Sequence, residues 1–265
     1  MSAVLETRGV EKRFGAVTAA DAVSVAVEAG ERLSVIGANG AGKTTFMNLV
    51  TGHLHPDSGT IHLRGEDVTR EGPRRIARRG VCRSFQIPQL VEPMTAEENV
   101  MVAIGASGRA FPRLRPAHDG TNERDARALL DRFGLGAYAE RPVSELPGGV
   151  RKLLDIAMAM VRSPQVLLLD EPTSGVSADE KFPLMDTVMA ALDADVTVIF
   201  VEHDMEIVTR YSERVVAFYQ GRVIADAAPG TAFADEDVQR HVTGTIAGGG
   251  APPAAGSPGA AGAPS

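Results

Sequence analysis

Arg32-Leu33-Ser34-Val35-Ile36-Gly37-Ala38-Asn39-Gly40-Ala41-Gly42-Lys43-Thr44-Thr45 decides the reading of this chain. Its first five residues are mostly apolar and predict a buried strand; Phe46-Met47-Asn48-Leu49-Val50 after it reads as a helix opening. Between them lies the pattern Gly, four free positions, Gly-Lys-Thr. A strand, a glycine-rich turn and a helix start gather backbone N–H groups and a positive helix end around one anion. Gly37, Gly40 and Gly42 leave room for backbone to wrap a phosphate. Asn39, Ala41 and Thr45 complete the cradle, Lys43 reaches the β- and γ-phosphates, and the Thr44 hydroxyl can ligate Mg²⁺. The stretch predicts a nucleoside triphosphate site.

A second stretch supplies the chemistry such a site needs. Val166-Leu167-Leu168-Leu169 runs into Asp170-Glu171-Pro172-Thr173, placing two acids at the C-terminal edge of a buried strand, where open α/β sheets bind ligands. Asp170 is the candidate for Mg²⁺ and Glu171 for activating water. Pro172 and Thr173-Ser174-Gly175 delay the next helix to about Ala178, so the acids are not simply capping it. Val196 to Val201 repeats the geometry and ends in Glu202-His203-Asp204, which puts His203 at the same edge to donate to a γ-phosphate. Neighbours on one strand point to opposite faces, so this cluster is not read as a metal site. His53 and His55 have no partner spacing and are read as surface.

Composition narrows the class. The chain has 265 residues, 44% hydrophobic, with no Trp, 5% aromatics and a net charge of −7. An acidic chain of this kind is a poor match for nucleic acid as the main ligand. One cysteine, Cys82, excludes an internal disulfide and any CxxC metal motif; its apolar surroundings predict a buried thiol. The N-terminal residues lack the apolar core of a signal peptide, and no apolar run reaches the roughly 20 residues that span a bilayer. Alternating residues at 4–10 and 22–27 predict half-open antiparallel strands, and Thr60–Leu63 another. Residues from about 73 to 162 read as mostly helical, with Pro/Gly/Arg-rich breaks at 105–121. A helix-period segment at 178–192 between two apolar strands predicts a right-handed βαβ crossover. Residues 215–219 and 222–225, joined by Gln220-Gly221, predict a hairpin. From Gly244 onward the Gly/Ala/Pro/Ser composition predicts disorder.

In this order, the features resemble the ATP-binding subunit of ABC transporters over roughly residues 4–243. The resemblance implies an α/β P-loop NTPase core with a mainly parallel sheet, an N-terminal antiparallel β subdomain, and a helical subdomain at about 87–162 carrying the signature motif. Residues 37–44 match the Walker A loop and 167–171 the Walker B strand with its catalytic Glu171. Gln86 matches the Q-loop glutamine, which touches Mg²⁺ and couples to the membrane subunit, and His203 the switch histidine. Phe14 falls where the family stacks an aromatic on adenine. Ser174–Ser177 occupies the D-loop position without its usual aspartate. The family's Leu-Ser-Gly-Gly-Gln signature stands here as Leu146-Pro147-Gly148-Gly149-Val150. Pro147 lacks the hydroxyl and N–H of the serine, and Val150 the amide of the glutamine. One missing charge-assisted hydrogen bond costs about 1.5–3 kcal/mol, leaving the Gly148 and Gly149 amides and the helix dipole to hold the partner's phosphate.

Thr95-Ala96-Glu97-Glu98-Asn99-Val100, the Arg/Pro-rich insert and the ending near 237–242 are most similar to the branched-chain amino acid importer branch. That implies ATP and Mg²⁺ as cofactors, two integral-membrane permease subunits, a second ATPase subunit, indirectly a periplasmic binding protein, and no nucleic acid. It implies a cytoplasmic location, peripheral on the inner face of the plasma membrane. The alternative is a soluble or exporter-associated ABC ATPase. The soluble kind usually carries two units or long insertions, and exporters are often fused to membrane spans. A P-loop kinase or GTPase would lack the Gly148-Gly149 helix together with His203, and no Asn-Lys-x-Asp guanine reader occurs.

Overall fold

The computed structural model describes residues 3–107 and 120–244. Most of the Arg/Pro-rich insert and the tail from residue 245 lie outside the described residues.

Two sheets organise the chain. The first is antiparallel and built from β1 (Ala3–Phe14), β2 (Val17–Glu28), β4 (Ser58–Leu63) and β5 (Glu66–Asp67), in the order β2-β1-β4-β5. The second has six strands, β3 (Arg32–Gly37), β6 (Val81–Ser84), β7 (Val166–Asp170), β8 (Thr197–Val201), β9 (Arg214–Tyr219) and β10 (Arg222–Ala227). Their order is β10-β9-β3-β8-β7-β6, with every pairing parallel except the β9–β10 hairpin. Gln220 and Gly221 both take positive φ, 48° and 80°, as the tight turn of that hairpin requires.

Alternation along each central strand builds two cores, because a parallel sheet is covered on both faces. Leu33 and Val35, Val166 and Leu168, Ile199 and Val201, and Val216 and Phe218 face the antiparallel sheet and α1 (Lys43–Val50). Ile36, Leu167 and Leu169, Val198 and Phe200, and Val215 and Ala217 face the helices on the other side. These include α3 (Ala96–Ala106), α4 (Thr121–Arg132), α5 (Gly148–Met160), α6 (Ala178–Ala191) and α7 (Met205–Tyr211). A short α2 (Pro73–Arg78) precedes β6. Helix α3 starts on a capping box: Thr95 accepts from the Glu98 amide at 3.1 Å, while the Glu98 carboxylate accepts from the Thr95 amide at 2.8 Å.

Two expectations need correction. The segment from residue 73 opens on helix α2 as expected, but it is not continuously helical after it, because Val81–Ser84 is the edge strand beside β7. Strands β1 and β2 extend well past 4–10 and 22–27, since their distal halves pair away from the core. There Asp57 accepts from Lys12 at 2.7 Å and from the Arg13 amide at 2.8 Å.

Candidate functional site

Strands β3, β8, β7 and β6 are consecutive neighbours and run parallel, so their C-terminal ends share one edge. Gly37 ends β3 and opens the glycine loop; Asp170 ends β7; His203 follows β8 by two residues; Gln86 follows β6 by two. Four segments far apart in sequence thus converge on one edge.

The loop is held open by its own neighbours. A Cβ on Gly37, at φ 151°, would stand 2.5 Å from the Phe218 carbonyl oxygen, and one on Gly42, at φ 111°, equally close to that of Ala19. These glycines are required by packing inside the chain before any phosphate arrives. Asn39, Gly40 and Thr44 are exposed, Ala41 and Lys43 are buried, and Thr45 is half-buried. The Lys43 ammonium donates to the carbonyl oxygens of Gly37 and Ala38 at 2.6 and 3.1 Å, folded across its own loop. Burial pushes its pKa down, opposed by the nearby Glu171 and Asp170 charges. A desolvated cation held by a glycine loop at a helix start is suited to a polyanion.

Glu171 is the centre of the acidic side. Its Oε2 accepts from Gln86 Nε2 at 2.6 Å, and its Oε1 lies 3.1 Å from His203 Nε2. Gln86 and His203, which the sequence placed at this edge with Glu171, thus each contact its carboxylate. Glu171 also sits at φ 46°, a left-handed backbone that non-glycine residues seldom adopt and that concentrates at functional sites. The Asp170 carboxylate accepts from Arg83 at 2.5 Å, and Arg83 also donates to Asn48 Oδ1 on α1 at 2.6 Å. This guanidinium ties the β7 acid to the helix of the glycine loop.

Glu202 belongs to the same edge but does different work. Buried, it accepts from the Thr173 amide and hydroxyl at 2.9 and 2.8 Å and from the His203 amide at 3.2 Å. It fixes the turn after Glu171 against the base of His203. Asp204 caps α7 and pairs with Lys181 at 2.9 Å. No cluster of His, Cys, Asp and Glu able to hold a metal occurs among the described residues.

Pro147 is the N-cap of α5, and Gly148 and Gly149 form its first turn, with no side chain capping them. Their amides remain open to a ligand from outside. A Cβ on Gly148 would come no nearer than 3.9 Å to anything, and one on Gly149 meets nothing within 4 Å. This chain alone has no need of glycine there. Phe14 ends β1 and is 49% exposed, available for stacking, and Lys12 Nζ lies 5.8 Å from its ring centre.

The missed residues are Arg83, Lys152, Asp155 and Glu202. Lys152 and Asp155 carried a signal, being charges three apart on the buried face of α5; Arg83 and Glu202 gave none beyond proximity to motifs.

The ABC transporter domain matches residues 20–174. The chain belongs to the ABC transporter family. This ABC protein is 37% identical to the high-affinity branched-chain amino acid transport ATP-binding protein BraF of Pseudomonas aeruginosa, over 85% of this chain and 92% of that one. It is 36% identical to LivG of Escherichia coli K12, named for the same transport, over 91% and 98%. Among solved structures it resembles the ADP conformation of MJ1267, an ATP-binding cassette of an ABC transporter, with a TM-score of 0.80 and 27% identity over 91% and 98%. This ABC subunit is thus a nucleotide-binding ATPase on a P-loop α/β fold.

Proposed function

We propose that the chain is the ATP-hydrolysing subunit of an importer for branched-chain or related amino acids, acting on the inner face of the membrane. The observation that carries the reading is the convergence of Gln86 and His203 on Glu171, beside the glycine loop. Two ATPase subunits close head to tail, and ATP lies between the Lys43 loop of one and the Gly148-Gly149 turn of the other. Phe14 stacks on the base. Thr44, Asp170 and Gln86 offer oxygen donors suited to Mg²⁺, which is usually held by few carboxylates together with substrate phosphates. Bound there, Mg²⁺ would neutralise charge on the β- and γ-phosphates. Glu171 accepts the proton of the attacking water, and Lys43 and His203 stabilise charge on the departing phosphoryl group.

The names of the relatives support the amino acid cargo. No helix among the described residues is long and apolar enough to cross a membrane. In the proposed importer the solute passes through integral-membrane permease subunits, with a periplasmic binding protein upstream. An apolar hollow of about 380 Å³ between α2, α3 and the end of α5, lined by His53, Arg74, Phe85, Ala103 and Met158, suits a short permease helix.

Glu171→Gln, recovered from native membranes with Mg-ATP, should bring two multi-span permeases and a second ATPase subunit, and cells carrying it should lose leucine uptake. Recovery of the chain alone, or unchanged uptake of every branched-chain amino acid, would overturn the proposal.

A further inference from the structure

Helix α5 buries two opposite charges that neither the glycine loop nor Glu171 touches. Lys152 is 2% exposed and Asp155 6%. They form no ion pair with each other; each is spent on backbone. The Lys152 ammonium donates to the carbonyl oxygens of Phe85 at 2.9 Å, Gln86 at 3.0 Å and Asp170 at 3.3 Å. An ammonium has three N–H groups, and all three are matched. Asp155 accepts from the Phe85 amide through Oδ2 and from the Gln89 amide through Oδ1, both at 3.0 Å.

The Phe85 residue is therefore gripped at both ends, its N–H by one charge and its C=O by the other. Residues 85–89 have no sheet or helix of their own to supply these partners. Burial weighs against both charges, pushing Lys152 down and Asp155 up. Apolar side chains would fill such a helix face at lower cost. Charges retained there imply a use for what they hold.

What they hold is the backbone of Gln86, whose amide reaches Glu171, and the carbonyl of Asp170, the residue before Glu171. Lys152 lies one turn from Gly148 on the same helix, about 6 Å along its axis at 1.5 Å per residue. We propose that Lys152 and Asp155 form a clamp of positioning residues that fixes Gln86 against Glu171 and makes the Gln86 loop move as one body with α5. The clamp rests on the assignment of Gln86 and Glu171 to hydrolysis. It adds a physical link: the helix whose glycine turn faces the second subunit's nucleotide grips the loop that serves its own.

Two measurements test it. In the purified chain, Asp155→Asn keeps the side chain's size but replaces one acceptor with a donor. Hydrogen exchange at the Phe85 and Gln89 amides should accelerate about ten- to hundredfold, the effect of losing a charged hydrogen bond, while amides of β3 and β8 keep their rates. Unchanged exchange at both amides overturns the clamp. In the assembled transporter, Lys152→Met should lower kcat about tenfold, which corresponds to about 1.4 kcal/mol, with KM for ATP nearly unchanged. Added to Gln86→Ala, it should cost less than about twofold more, because the two act through one contact. Losses that multiply independently, or a raised KM at constant kcat, overturn the positioning role. If Lys152→Met does not fold, Asp155→Asn takes its place in the cycle. Glu171→Gln separates the two readings: hydrolysis surviving it refutes the assignment beneath, whereas the exchange result stands on its own.

Discussion

The glycine pair at the start of α5 makes an unusual demand on stability and activity at once. Replacing Gly148 and Gly149 by alanine removes backbone freedom from the unfolded chain and meets no obstacle in the folded one, since the nearest atom to either new Cβ lies 3.9 Å away. Glycine in a helix costs roughly 0.5–1 kcal/mol relative to alanine, and first-turn positions fall at the lower end. The double variant should therefore stabilise the isolated chain by about 1 kcal/mol, raising Tm by roughly 2–4 °C for a chain of this size. Calorimetry on the isolated chain measures this directly. The same methyl groups stand where the partner's phosphate approaches the two amides. Loss of one charge-assisted hydrogen bond, about 1.5–3 kcal/mol, should slow hydrolysis by the assembled transporter about ten- to 150-fold. ATP binding to the isolated chain should not change, because its own nucleotide sits on the Lys43 loop. A variant that melts lower than the parent, or that hydrolyses ATP at the parental rate after assembly, would refute the argument that these glycines serve a ligand outside the chain.

Other outcomes follow from single residues. Glu171→Gly should be more stable to urea than Glu171→Ala by roughly 0.5–1 kcal/mol, because both lose the carboxylate and only glycine accepts φ 46° without strain. Phe14→Ala should weaken ATP binding by about 1–3 kcal/mol if the ring stacks on the base, while the melting temperature stays put because the side chain is half exposed. Tyr211 donates to Asp186 Oδ1 at 2.7 Å, and burial with that carboxylate pushes its phenol up to about 12. The folded chain keeps this proton longer than the unfolded chain, so the contribution to stability is complete below about pH 10 and is lost as pH rises toward 12. Ultraviolet titration of the parent and of Tyr211→Phe should differ by one tyrosinate step near pH 12.

Much of this was legible because it is local. The glycine loop is a contiguous pattern, and β7 and β8 are short apolar runs ending in acids or histidine, so both type and edge follow from the residues. The β9–β10 hairpin announces itself in Gln220-Gly221. Strand β6 stayed hidden because it is four residues long and contains Arg83, whose guanidinium faces Asp170 rather than solvent. Lys152 and Asp155 showed as charges on a buried helix face, but what they hold stayed hidden: all their partners but the Asp170 carbonyl are backbone groups 66 to 70 residues away, which no periodicity records. Glu202 looked like one third of an unlikely metal cluster. Its carboxylate instead holds Thr173, a contact between two strand ends that only the assembled sheet creates.

The strand order has a consequence for synthesis. The glycine loop leaves the ribosome early, on a strand beginning at Arg32, yet the strands that flank it begin at Thr197 and Arg214. At roughly 5–20 residues per second, those neighbours arrive about ten to thirty seconds later. Throughout that interval Leu33, Val35 and Ile36 have no lateral partner on either side. The nascent chain thus carries an apolar strand that waits, unpaired on both sides, for most of the length of its own synthesis.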